Sequence, residues 1–189
     1  MEQRPHYFFA VRIPDETKQI MKAHIEKIKD ALPFSRWVHH QDLHITLAFL
    51  GAAAPENIAA AENNVKEVLR DAKALTLKIN KLGIFGQEES PRVFWADTEE
   101  SLELKAIRKK VFSACEKAGF QLETRPFRPH ITLARKWTGV YPFQRELLEV
   151  WNKLQPEPHP FLARDVVLYQ TYLNQMPKYK AITRFPLQT

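Results

Sequence analysis

The sequence predicts an α+β fold with antiparallel sheets and an internal duplication. Two observations carry this. Segments with helical spacing of apolar residues are mixed with β-branched and aromatic runs, and several runs join through hairpin-length connections. In addition, His44-Ile45-Thr46-Leu47-Ala48 recurs unchanged as His130-Ile131-Thr132-Leu133-Ala134, a repetition that points to a duplicated unit.

Arg4 to Ile13 reads as a first strand, stopped by Pro14. Asp15 to Ala31 has helical spacing, with Ile20, Ala23, Ile28 and Ala31 on one side, and Pro33 ends it. Arg36-Trp37-Val38 is a short extended piece before the first repeat strand, which Gly51 closes. Pro55 to Ala72 predicts a second helix with proline in its first turn. Leu75 to Leu82 alternates as a strand, Gly83-Ile84-Phe85-Gly86 is expected to turn the chain, and Arg92 to Asp97 predicts the returning strand. Ser101 to Ala118 reads as a helix with Ser101 as N-cap and Gly119 just past its end. Pro126 and Pro129 keep the approach to His130 extended. Phe143 to Leu154 predicts a shorter helix; Ala163 to Thr171 and Lys178 to Pro186 predict closing strands, with a turn at 174–177. No linker or low-complexity segment interrupts residues 1–189, so one domain is expected.

Alternation places His44, Thr46 and Ala48 on one face of the first repeat strand and Ile45, Leu47 and Phe49 on the other. The second copy sets His130, Thr132 and Ala134 against Ile131 and Leu133. One face is apolar enough to pack on helices. The other offers an imidazole that exchanges protons near neutral pH and a hydroxyl about 7 Å further along that can donate to a phosphoryl oxygen. A single His-x-Thr is most simply an exposed strand face; two copies point to a phosphate held between them.

Composition agrees with an anionic ligand without naming one. The chain is 44% hydrophobic and 26% charged with a net charge of +6, as expected of a soluble globular protein. It lacks a secretory pattern and any apolar run long enough to span a membrane, and its lone Cys115, read as a buried helix residue, fits a reducing, cytoplasmic setting. Neither a P-loop nor a dinucleotide-binding glycine pattern is present. His40 and His44 are four apart, but Gln41 stands where a metalloprotease helix needs glutamate, so no metal site is expected there. His6, His24 and His159 have no partner pattern; Trp37, Trp95, Phe85 and Trp137 read mostly as core, with Phe85, beside glycines, chosen for exposure and base stacking.

The segments His44 to Gly51 and Arg128 to Arg135 resemble the paired motifs of the two-histidine phosphoesterases. Among these the chain most resembles the bacterial and archaeal RNA 2′,3′-cyclic phosphodiesterases, formerly described as 2′-5′ RNA ligases. The likeness extends to the opening strand before Ile13-Pro14, to Gly83-Ile84-Phe85, to Pro91 through Trp95 and to the ending Tyr179 to Leu187. It implies a bilobal, pseudo-twofold fold, one His-x-Thr strand from each lobe lining a central cleft with helices outside. It implies hydrolysis of RNA or nucleotide 2′,3′-cyclic phosphates to 2′-phosphates by a monomer needing neither metal nor cofactor. Under it His44 is the proton donor and His130 the proton acceptor, although the two are symmetric in the residues themselves. Thr46, Thr132 and Arg135 bind the phosphate, and Arg128 and Phe85 contact the substrate. Strict alternation turns Arg135 away from His130, so its role requires the strand to end or bulge near Ala134; otherwise Arg135 serves the fold. A non-catalytic nucleotide-binding module and 2′-5′ ligation on the same residues are the rival readings.

Overall fold

The computed structural model describes residues 3–189. Among these residues nine strands form one antiparallel sheet flanked by four α-helices. The chain runs β1 (His6–Arg12), α1 (Asp15–Ile28), β2 (Phe34–Trp37), β3 (His44–Ala52), α2 (Pro55–Leu69), β4 (Leu75–Gln87), β5 (Ser90–Thr98), α3 (Leu102–Lys117), β6 (His130–Trp137), α4 (Val150–Leu154), β7 (His159–Ala163), β8 (Asp165–Thr171) and β9 (Tyr179–Pro186).

The strand order β7-β4-β5-β6-β3-β1-β8-β9 exposes the duplication. Each half is a four-stranded antiparallel set, β9-β8-β1-β3 and β6-β5-β4-β7, and the two repeat strands meet at the middle. Only Ile45 and Ile131 pair across that junction. The halves are also interlocked, because β2 adds to β6 of the other half through Phe34↔Trp137, Arg36↔Arg135 and Trp37↔Ala134.

Local chemistry sets the helix ends. Pro14 precedes α1, Asp15 and Glu16 occupy its first turn, and Pro55 stands at the first position of α2, where its missing N–H costs nothing. Ser101 Oγ accepts the Leu104 N–H at 3.1 Å to cap α3, and Gly119 ends it with φ of +93°. The helices cover one face of the sheet. Ile45, Leu47, Ile131 and Leu133 pack there with Ile58, Ala61 and Val65 of α2 and Leu104, Ile107 and Val111 of α3, in one core that spans both halves and takes in Cys115. Each such Val, Leu or Ile side chain contributes ~1.5–3 kcal/mol on full burial.

Four expectations need correction. Gly83 to Gly86 does not turn the chain; β4 runs on to Gln87, and the hairpin closes at 88–89. Gly83 is needed inside the strand because Trp95 of β5 lies over it: a Cβ there would sit 2.2–2.6 Å from three atoms of the indole ring. The region 143–154 splits into a 3₁₀ turn, Arg145–Glu149, followed by the short α4. An additional edge strand, β7, precedes Ala163, with Pro160 tolerated because only β4 pairs with it. Finally, strict alternation fails in both repeat strands. β3 has one residue too many opposite β1 at Leu47 (Phe9↔Ala48, Ala10↔Thr46), and β6 has one too many opposite β5 at Leu133 (Phe94↔Ala134, Trp95↔Thr132).

Candidate active site

Those two bulges build the site. In each repeat the extra residue lets Leu and Ala both turn into the core, so Ala48 and Ala134 are buried and do not face the cleft. The residue that follows is thrown to the opposite side. In β6 that residue is Arg135, which thereby joins His130 and Thr132. In β3 it is Phe49, which is 59% exposed and joins His44 and Thr46, where alternation had placed it in the core.

The junction register then fixes the arrangement. Continuing the antiparallel pairing one residue either side of Ile45↔Ile131 sets His44 across from Thr132 and Thr46 across from His130. The imidazoles occupy one diagonal of a square and the hydroxyls the other, with diagonal neighbours ~7–8 Å apart at the backbone. All four side chains, with Arg135 and Phe49, line a cleft of about 140 Å³.

Each imidazole is held the same way. His44 Nδ1 donates to the Asp42 carbonyl at 2.6 Å, and His130 Nδ1 donates to the Arg128 carbonyl at 2.8 Å. A carbonyl can only accept, so the proton sits on Nδ1 and the neutral rings present Nε2 as a lone pair. His44 Nε2 accepts from Thr46 Oγ1 at 3.0 Å; among the described residues His130 Nε2 has no protein partner.

The surroundings differ. Three rings close around His44: Phe8 at 4.7 Å, Tyr179 edge-on at 5.3 Å and Tyr169 at 6.1 Å between centroids. Burial among them pulls the His44 pKa down to about 4. Burial also lowers His130, helped by the nearby Arg135 charge. His130 has Phe85 edge-on at 5.0 Å and Trp95 at 6.2 Å, but beyond it lies a second pocket of about 290 Å³. Phe85 and Arg128, expected to contact the substrate, line that pocket on the far side of His130 and not the cleft that holds Thr46, Thr132 and Arg135.

Several residues of the site escaped sequence reading. Asp42 is buried, and its carboxylate accepts the Lys178 N–H at 2.8 Å and the Tyr179 N–H at 3.1 Å. One residue thus orients His44 through its carbonyl and pins the start of β9, which brings Tyr179 against the same ring. Phe49 carried a signal: it stands at the same offset from His44 as Arg135 from His130. Trp95, expected in the core, forms a wall of the second pocket, whereas Trp37 and Trp137 do pack against the core. Of the other histidines, His39 accepts the Gln41 N–H at 3.1 Å and stacks on His40, and His24 stands edge-on to Trp151.

Among the described residues no helix is long and apolar enough to cross a membrane. A protein of Geobacillus stearothermophilus named RNA 2′,3′-cyclic phosphodiesterase is 40% identical over 98% of this chain, which spans 58% of that relative's length. A Bacillus subtilis protein of the same name is 37% identical over 97% of both chains. The crystal structure of Escherichia coli LigT with 3′-AMP superposes with a TM-score of 0.79 over 98% of this chain and all of that one, at 22% identity, so the fold is shared. The 2′-5′ RNA ligase superfamily model matches residues 15–174, and the chain belongs to that superfamily.

Proposed function

We propose that this chain hydrolyses RNA 2′,3′-cyclic phosphate ends to 2′-phosphates, with His44 as general acid and His130 as general base. The observation that carries the reading is the diagonal pair of imidazoles, both presenting Nε2 to one cleft that also holds two hydroxyls and a guanidinium. A nucleotide binder needs phosphate donors; it does not need two proton-transfer groups on opposite corners. The names of the relatives at 40% and 37% identity support the same chemistry.

The phosphorus sits between the imidazoles. Thr46, Thr132 and Arg135 donate to its non-bridging oxygens, where charge builds in the transition state. His130 Nε2 takes a proton from water, the water oxygen bonds phosphorus, the bond to O3′ breaks, and His44, protonated, supplies the proton that O3′ needs. The asymmetry of the cleft supports these roles. The base must be reached by water, and His130 borders the open pocket; the leaving oxygen is best protonated in a corner closed to water, and His44 is walled by three rings. Phe49 offers an exposed ring face to the base of the terminal nucleoside.

The test is incubation of the protein with an RNA ending in a 2′,3′-cyclic phosphate, in EDTA, followed by identification of the product. A 2′-phosphate is expected, because both proton transfers are assigned to side chains. A 3′-phosphate would exchange the leaving oxygen; binding without turnover would leave a nucleotide-binding module; loss in EDTA with rescue by a divalent ion would overturn the acid/base assignment.

A further inference from the structure

We infer that Arg36 binds the phosphodiester that precedes the terminal nucleoside, so that the protein prefers the end of an RNA strand to a free cyclic nucleotide. This rests on the reading of the cleft as the cyclic-phosphate site. Strand β2 places Arg36 directly opposite Arg135 of β6. Opposed residues of an antiparallel ladder point to the same face, with Cβ atoms ~4.5–5.5 Å apart. Arg135 lines the cleft, and so does Val38, two residues along β2 from Arg36. Both neighbours put the Arg36 side chain on the cleft side. Burial raises the pKa of Tyr179, a wall of the same cleft, and the charges of Arg135 and Arg36 both pull against it.

The strand that carries Arg36 is firmly anchored. Phe34 and Trp37 pack against Phe94, the Val38 N–H donates to the Leu133 carbonyl at 2.8 Å, and the Thr138 N–H donates to the Pro33 carbonyl at 2.8 Å. Like charges directly opposite each other on a ladder are unfavourable. Both arginines are exposed, and among the described residues neither forms an ion pair with a carboxylate. Two guanidinium groups held side by side in this way fit an anionic ligand. A cyclic phosphodiester carries one negative charge, which Arg135 meets. The second cation answers a second phosphate, and in RNA that is the phosphodiester on the 5′ side of the same ribose.

Position supports this assignment. The register puts Arg36 and Arg135 beyond the His44–Thr132 end of the cleft floor, and the exposed Phe49 beyond the Thr46–His130 end. Along the floor this gives a place for the preceding phosphate, then the ribose with its cyclic phosphate, then the base. The pocket beyond His130 suits a polyanion less well. It sets Asp97 and Glu100 against Arg128 and Lys105, charges that offset each other.

The experiment compares two diadenosine substrates, each ending in a 2′,3′-cyclic phosphate. One has a natural phosphodiester between its nucleosides and the other an uncharged methylphosphonate. The readout is the ratio of kcat/KM for the charged substrate to that for the neutral one. In the wild type this ratio should be ~5, the upper end for one exposed ion pair, and should fall toward unity as salt is raised. Arg36→Ala should bring it to unity by slowing only the charged substrate; Arg36→Lys, which keeps the charge, should retain part of the preference. A wild-type ratio of unity, or an unchanged ratio in Arg36→Ala, would overturn the proposal while hydrolysis stands. Equal loss on both substrates in Arg36→Ala would also overturn it, since Arg36 would then serve the cyclic phosphate or the strand pairing. Failure to hydrolyse either substrate would remove the hydrolytic reading and this one with it.

Discussion

At the scale of single residues, the proposed acid and base roles fall on two imidazoles in unequal surroundings. Replacing either His44 or His130 by alanine should lower turnover at least ~10²-fold, the usual scale for a general acid or base. The roles separate when the leaving group departs without protonation. His44→Ala should then be largely rescued and His130→Ala should stay slow; rescue in the opposite sense would exchange them. The pH profiles follow from burial. In the free cleft His44 is held at about 4 and His130 is also lowered, so at neutral pH both rings are mostly neutral and the proposed acid lacks its proton. A bound anionic phosphate favours the charged forms and raises both values. The profile of kcat/KM, which reports the free protein, should lose its alkaline limb at acidic pH, and that limb should move upward for kcat, which reports the complex. The limbs belong to the coupled pair. Coincident alkaline limbs would show that the phosphate does not supply the shift.

At the scale of elements, the histidines and threonines were legible because they sit before the bulge in each repeat, where a period of two still holds. Arg135 was legible only as an inconsistency, since its expected role contradicted its parity, and the bulge at Leu133 removes the contradiction by putting it on the cleft side with His130. Phe49 was misplaced because the same bulge was not carried to Leu47. A bulge is a matter of pairing between strands, and neither β1 nor β5 marks it in its own sequence. The Gly83 error is of another kind. Glycine is both a turn residue and a residue over which a large ring can lie, and only the partner strand, with Trp95 opposite, distinguishes the two. Gly83→Ala tests this directly. The added methyl overlaps the indole, so Trp95 must leave its place against Phe85. The variant should lose ~1–3 kcal/mol in denaturant unfolding and show an altered near-ultraviolet dichroism band. An unchanged band with full stability would mean that β4 accommodates a side chain there.

At the scale of the whole molecule, two lobes can be drawn but not separated. The ladder between them is a single pair, Ile45↔Ile131, too little to hold two halves together. What couples them is the exchange of elements: β2, from the first half of the chain, completes the sheet beside β6, and α3, which follows β5, packs on β3. One buried core runs through both, from Phe9 and Val11 to Phe94 and Phe161. Removing either half would expose the inner faces of Ile45 and Ile131, each fully buried, together with the helices that cover them. The protein should therefore unfold as one cooperative unit of 189 residues. Tryptophan fluorescence is weighted toward the second half of the sheet, because Trp95 lies on β5 and Trp37 and Trp137 pack with Phe34 at the β2–β6 pair, while the fourth tryptophan, Trp151 of α4, stands against His24 of α1. Far-ultraviolet dichroism reports the helices and strands of both halves. The two transitions in denaturant should coincide at one midpoint with one slope. A fluorescence midpoint displaced from the dichroism midpoint would mean that the halves melt separately, and that the cleft between them can open without global unfolding.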